Sequence, residues 1–315
     1  MSRRNRRGRP VHGILLLDKP PGGSSNHALQ RAKRLFGARK AGHTGSLDPL
    51  ATGMLPICFG EATKLSAFLL DADKGCETTL KLVVTTDSAD ADGQVLETRP
   101  LPDGLSLAQL EQVCTGLRGP QQQVPPMVSA IKIDGQRLYK LARQGKEVER
   151  PARSVTIHEL QVLSFDGINA SLSVRCSKGT YIRSLVTDIG EALGCGAHVT
   201  ALRRTYVSPF EQQPMVSIDA LEQMAEPQSL QGSELDALLL PMDAGLGHLT
   251  AVSIDSTGLG RFRAGQSADC LQLQAGAGDE SAMCRVYDEQ GQLQGLGELA
   301  ESGNQVAPRR VLQLD

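Results

Sequence analysis

One stretch of this 315-residue chain concentrates the side chains best placed to do chemistry: Gly42-His43-Thr44-Gly45-Ser46-Leu47-Asp48-Pro49-Leu50-Ala51-Thr52-Gly53-Met54-Leu55-Pro56. It holds a single acid, Asp48, and three glycines that let the backbone turn tightly or approach a ligand. A lone carboxylate suits a nucleophile or a base. Two carboxylates flanking a glycosidic bond would point to hydrolysis, and this loop offers only one. The same spacing also fits a plain turn, with Asp48-Pro49 initiating it and His43 an ordinary surface or core histidine.

Other segments invite chemical readings and fail them. Asp87, Asp90 and Asp92 suggest a calcium loop, but with Asp90 and Asp92 in its third and fifth places, Arg99 stands where a bidentate glutamate belongs. Gln274-Ala275-Gly276-Ala277-Gly278 lacks the third spaced glycine and the βαβ setting of a dinucleotide site. The seven cysteines (Cys58, Cys76, Cys114, Cys176, Cys195, Cys270 and Cys284) form no Cys-x-x-Cys pair and follow no secretory signal. That argues against a disulfide framework and for a reducing cytoplasm.

The elements that must carry the loop can be read from periodicity. Val11 to Leu17 predicts a buried strand, and Ser24-Ser25-Asn26 offers a helix N-cap ahead of Ala28, Leu29, Ala32 and Leu35, with Gly37 ending the helix. Residues 41–56 read as a loop, Glu61 to Leu70 as a second helix and Glu77 to Val84 as a strand. Further helices are predicted from Leu105 to Leu117, from Arg137 to Gly145, and from Tyr181 to Leu193 with Gly194 as C-cap. Strands are predicted at 154–164 and 169–176. Residues 211–248 read as acidic and mostly helical, with a polar break from Pro227 to Ser233, and short strands follow from about 250. Helices and strands mix without regular βαβ spacing, which predicts an α+β fold with a mainly antiparallel sheet.

Charge is unevenly spread. Residues 1–210 carry 28 Lys/Arg against 19 Asp/Glu, and residues 211–315 carry 5 against 16. Five arginines fall in the first nine residues. A basic region of that size is the footprint of a protein that neutralises phosphates, and a solvated surface with a disordered tail is the alternative. No apolar run reaches the roughly 18 residues of a membrane span, so a soluble protein is expected.

The string from Gly42 to Pro56 closely resembles the catalytic loop of the TruB family of tRNA pseudouridine-55 synthases. The resemblance continues through Leu16-Leu17-Asp18-Lys19-Pro20, Cys58-Phe59-Gly60-Glu61-Ala62-Thr63-Lys64, Thr86-Asp87-Ser88-Ala89-Asp90-Ala91-Asp92-Gly93 and Leu138-Tyr139-Lys140-Leu141-Ala142-Arg143-Gln144-Gly145. It covers Ser177-Lys178-Gly179-Thr180-Tyr181-Ile182-Arg183 and Leu202-Arg203-Arg204, and the end of the chain is similar to the family's PUA domain. It implies a pseudouridine synthase fold with a small C-terminal β-barrel-like PUA domain. Expected boundaries are a flexible basic arm at 1–10, a catalytic domain at 11–248 and a PUA-like RNA-binding domain at 249–315.

The activity so implied is isomerisation of uridine 55 in the tRNA T loop, without cofactor or metal, by a cytoplasmic monomer. Asp48 is then the catalytic nucleophile, and Arg183 pairs with it. Tyr181 packs against the target base, His43 fills the space left by the flipped-out nucleotide, Leu202 forms a pocket wall and Lys19 steadies the turn. Three positions depart from the family pattern. Cys76 stands where the family has an active-site tyrosine, Val83 where it has glycine, and Val128 where it has an aromatic residue. Cys76 offers neither a ring to stack on uracil nor a phenol, so a second class of function stays open: an RNA-binding protein that remodels tRNA with little catalysis.

Overall fold

The apolar run after Val11 forms the strand Gly13–Lys19. Leu15 and Leu17 enter one apolar cluster and Ile14 and Leu16 another, so both faces of the strand are buried. That explains a continuous rather than alternating pattern. In the computed structural model, residues 8–129, 131–133, 135–142, 144–225, 233–276 and 282–314 are described.

Gly13–Lys19 belongs to a nine-stranded mixed sheet. Its order is Val216–Ser217, Gly13–Lys19, Thr52–Phe59, Ala197–Val207, Lys74–Leu82, Asn169–Cys176, Arg153–Phe165 and Gly119–Gln123, with Ala41–His43 added on Thr52–Phe59. Most neighbours are antiparallel; Gly13–Lys19 with Val216–Ser217 and Thr52–Phe59 with Ala197–Val207 are parallel. Residues 41–56 are therefore not all loop, because Ala41–His43 pairs with the far half of Thr52–Phe59. Only residues 44–51 are free of the sheet.

The helix Ser25–Leu35 starts as its sequence dictates, with Ser24 Oγ accepting a hydrogen bond from His27 N at 3.1 Å. Its Ala28, Leu29 and Ala32 pack into the cluster of Leu15, Leu17, Leu55 and Ile57. The helix Ile182–Ala192 buries Ile182, Leu185, Val186 and Ile189 against Leu80, Leu172 and Val174 of the sheet. Full burial of one such side chain stabilises by about 1.5–3 kcal/mol. The segment predicted as one helix from Glu61 to Leu70 is split into a 3-10 turn, Gly60–Lys64, and the short helix Ser66–Leu70. Thr63 Oγ1 donates to Gly60 O and Ser66 Oγ to Thr63 O, and these side-chain bonds compete with a continuous helix.

A second sheet of six strands runs in the order Ala268–Asp269, Gln305–Val311, Leu293–Leu299, Met283–Tyr287, Thr250–Ser253 and Gln272–Gln274, with the helix Ser256–Arg263 beside it. It is joined to the first part through Leu65 and Phe68, which pack with Leu246, Leu249, Leu293, Leu296 and Leu312. Lys64 Nζ donates to Val311 O at 2.8 Å across the same junction. Between the sheets the helices are Ile218–Ala225 and Ser233–Asp236; apart from Ser233, the expected polar break at 227–233 lies outside the described residues. Of the expected flexible arm, Arg9 is held by Asp236 through two hydrogen bonds of 2.6 Å. No helix among the described residues is long and apolar enough to cross a membrane.

Candidate active site

The loop 44–51 leaves the sheet at His43 and rejoins it at Thr52, where Thr52 and Gly53 pair with Arg203 and Arg204. Gly53 has φ 96°, and a Cβ there would lie 2.2 Å from Arg204 O, so only glycine lets the strands close. Buried groups fix the loop from several sides. Ser25 Oγ donates to Leu47 O at 3.0 Å and accepts from Leu47 N at 2.7 Å. Lys19 Nζ, buried, donates to Pro20 O at 2.9 Å, Pro49 O at 3.2 Å and Ala51 O at 2.7 Å. Arg204, also buried, donates from Nε to Met54 O at 2.7 Å and from Nη2 to Gly45 O at 3.3 Å. Neither cation has an ion-pair partner among the described residues. Each spends its donors on backbone carbonyls, which turns a costly buried charge into a fixed loop.

At the centre stands Asp48, 32% exposed, with the side chain of Arg183 behind it at 1%. Arg183 Nη2 donates to Asp48 Oδ1 at 3.0 Å, and Nε approaches Oδ2 at 2.8 Å as an ion pair, out of line for a hydrogen bond. The guanidinium also donates from Nη1 to Ser88 O and from Nη2 to Val128 O, both at 2.7 Å. Burial pushes the Asp48 carboxyl above its usual range, Arg183 and Lys19 oppose that, and Asp90 adds to it. The remaining exposure lets solvent damp the shift.

Asp90 is the residue that reading the sequence missed as part of this site. It is buried, its Oδ2 lies 3.6 Å from Arg183 Nη1, and its Oδ1 accepts from Ser88 Oγ and from Asp92 N. Arg183 thus faces two carboxylates, one open to solvent and one sealed. The signal was present in the Asp-rich turn, but the calcium-loop test addressed metal ligation and not an ion pair from a distant helix. Among the described residues no group of three or more His, Cys, Asp or Glu could hold a metal.

The other expected site residues lie on different elements. Tyr181 is the N-cap residue of the helix whose first turn carries Arg183. Leu202 and Cys76 share one apolar cluster with Ala51 and Ile182. A cavity of about 480 Å³ is lined by Leu50, Thr52, Thr78, Leu202 and Arg203 among others, and Asp48 does not line it. His43 is the last residue of Ala41–His43; its buried Nδ1 has no hydrogen-bond partner among the described residues, and burial together with Arg204 lowers its pKa. Burial pushes the Cys76 thiol up to about 12, which keeps it protonated at neutral pH.

Two departures from the family pattern have visible consequences in the backbone. Val83 sits at φ 69°, the left-handed region in which a β-branched residue is strained and glycine is not. Val128 contributes its carbonyl to Arg183, a contact that needs no aromatic side chain.

Family models match residues 33–247 and 250–312. The TruB family pseudouridylate synthase N-terminal domain matches residues 33–182, the tRNA pseudouridylate synthase B C-terminal domain residues 183–247, and the C-terminal domain of pseudouridine synthase II TruB residues 250–312. The tRNA pseudouridine synthase B of Stutzerimonas stutzeri (strain A1501) is 50% identical over 306 residues, 97% of this chain and 97% of that protein. That of Aeromonas salmonicida (strain A449) is 48% identical over 318 residues, 99% and 98% of the two chains. A chain from the crystal structure of the archaeal box H/ACA sRNP Nop10-Cbf5 complex superposes with a TM-score of 0.71 at 23% identity, covering 99% of this chain and 93% of that one. That likeness concerns the fold, and the expected pseudouridine synthase fold is the one observed.

Proposed function

This chain belongs to the TruB family of pseudouridine synthases, and from that premise we propose that it isomerises uridine 55 in the T loop of tRNA, with Asp48 as nucleophile. The observation that carries this reading is the half-open Asp48 carboxylate held against the buried Arg183. Arg183 fixes the carboxylate's direction through its hydrogen bond and ion pair, and its own position is set by Ser88 O and Val128 O. The loop geometry is set in turn by Lys19, Ser25 and Arg204.

A base stacked in the T loop does not reach a carboxylate so placed, so the uridine enters flipped out, with Tyr181 against the base and His43 in the vacated stack. The Asp48 oxygen attacks C1′ as the N1–C1′ bond breaks, and the uracil leaves with the electron pair. It rotates within the site, and C5 bonds to C1′ as the carboxylate departs. The C5 proton is then lost and N1 gains one, so the product is an isomer of the substrate. Cys76, with its thiol pushed up to about 12, does not take the C5 proton at neutral pH, and the released Asp48 carboxylate is the base the site offers. The basic surface of residues 1–210 supplies the phosphate contacts.

The test is release of tritium from tRNA labelled at C5 of uridine. Stoichiometric release, confined to one position of the T loop, is expected. Binding of tRNA without release would assign the chain to RNA remodelling instead.

A further inference from the structure

The first turn of the helix Ile182–Ala192 is tied to the chain segment 123–128 by four hydrogen bonds. Two come from one side chain. Gln123 Oε1 accepts from Tyr181 N at 2.8 Å, and Gln123 Nε2 donates to Tyr181 O at 3.1 Å. The amide closes on both backbone groups of a single residue, and at 3% exposure it does so away from water. Tyr181 is the N-cap of its helix and has no side-chain cap; Gln123 Oε1 takes the N-cap backbone N–H, the group from which the N3 Glu or Gln of a capping box would accept, a position held here by Ser184. Just beyond, Ser184 Oγ donates to Val124 O at 2.9 Å and Arg183 Nη2 to Val128 O at 2.7 Å.

On the helix side of these ties, Tyr181 and Arg183 belong to the proposed site and Ser184 follows them. Gln123 ends the outermost strand of the large sheet, Gly119–Gln123, and the chain then passes through Pro125 and Pro126. Beyond them Lys132, Arg137, Lys140 and Lys146 make no ion pair among the described residues, so this segment presents positive charge to solvent.

We propose that Gln123 is a positioning residue for the isomerisation: its amide fixes the backbone of Tyr181, and thereby the ring against the target base. The inference rests on the reaction proposed above. It assigns Gln123 no contact with the reacting atoms. A displacement of about 1 Å at the reacting centre can cost about 10²-fold in rate, so a residue acting on position alone has a large lever.

Gln123→Leu keeps the side-chain volume and removes both bonds; Gln123→Glu keeps an acceptor for Tyr181 N and loses the donor to Tyr181 O. Single-turnover tritium release from a T-arm hairpin at saturating enzyme is expected to fall about 10- to 100-fold for Leu and less for Glu, with hairpin affinity within about threefold of wild type. In a Tyr181→Ala background, Gln123→Leu is expected to cost less than about twofold more, because both changes act through one side chain. Thermal melting shows which variants are folded, and if the Leu variant does not fold, the Glu variant and its cycle with Tyr181→Ala decide. Rates at saturation equal to wild type, or effects that multiply in the double variant, would overturn the role. A wild-type protein that releases no tritium would overturn the reaction itself, and this role with it.

Discussion

The two sheets treat their buried polar groups differently. In and against the large sheet the buried cations end at backbone carbonyls and carboxylates: Lys19 and Arg204 hold the loop 44–51 and the strand that follows it, and Arg183, with buried Asp90 on one side, holds the half-open Asp48. In the small sheet the buried polar groups Gln294 and Asp288 bond to each other. Gln294, fully buried, donates to Asp288 Oδ2 at 2.7 Å and accepts from Arg263 at 2.9 Å, while Asp288 Oδ1 accepts from the backbone of Gln290 and Gln292. The second network closes on itself, and the first leaves a carboxylate facing solvent with its charge already oriented. Closed polar networks specify a fold, whereas an oriented carboxylate left open is what chemistry requires.

The comparison predicts which changes cost activity and which cost stability. The largest effect is expected at Asp48. Asp48→Asn should lower tritium release at least about 10³-fold while leaving T-arm affinity within a few-fold, because the carboxylate does chemistry and binds little phosphate. Parallel loss of affinity, measured by filter binding, would make Asp48 a structural residue and erase the contrast.

Cys76→Tyr restores a ring and a phenol where burial now leaves an inert thiol, and it should raise turnover by about 10²-fold. Cys76 is buried in the apolar cluster against which Val83 also packs, so the change should also be made together with Val83→Gly and Val128→Tyr. Unchanged turnover in the single and triple variants, with folding verified by melting, would mean that this position does not limit the enzyme.

Burial lowers Lys19 to about 8, against an opposing pull from Asp48. Above that pH the amine carries two hydrogens for three carbonyls, so kcat/KM should fall along an alkaline limb near pH 8. Between pH 8 and the unfolded value of 10.5 the unfolded chain binds more protons at this group, so its contribution to stability rises with pH. Activity and stability should therefore part in that window. A limb unmoved in Lys19→Met would assign it elsewhere.

The smallest effects are on stability. Gln294→Leu leaves Asp288 and Arg263 short of a partner and should cost about 1–3 kcal/mol with tritium release unchanged at permissive temperature. Val83→Gly relieves a left-handed backbone and should stabilise by about 1 kcal/mol, read by urea unfolding. A Gln294→Leu enzyme that is stable but slow would show that the two networks are not separate.

How much of this was legible beforehand depended on whether local pattern and burial agreed. The helices Ser25–Leu35 and Ile182–Ala192 were readable because cap and apolar stripe coincide in them. The strand Ala197–Val207, central in the large sheet, was not recognised. Its two register shifts break the alternation, and buried His198 and Arg204 disguise its inward positions as polar. Residues 41–56 read as loop because Gly and Pro punctuate them, yet Thr52–Phe59 is a strand, and Gly53 is what permits its close approach to Arg204. Asp48 stood out as the one acid in its loop, and its pairing with Arg183, 135 residues away, rested on resemblance. Asp90 and Gln123 act through folded contacts with a distant helix, which no spacing in the sequence announces.

The most direct test of the central claim is a crystal structure of the protein with a T-arm hairpin that carries 5-fluorouridine at the target position. The account predicts the nucleotide flipped out of the loop, an Asp48 oxygen bonded to C1′ or within about 3.5 Å of it, and His43 in the vacated stack. A hairpin bound with its uridine still stacked, or with Asp48 beyond reach of the sugar, would contradict it.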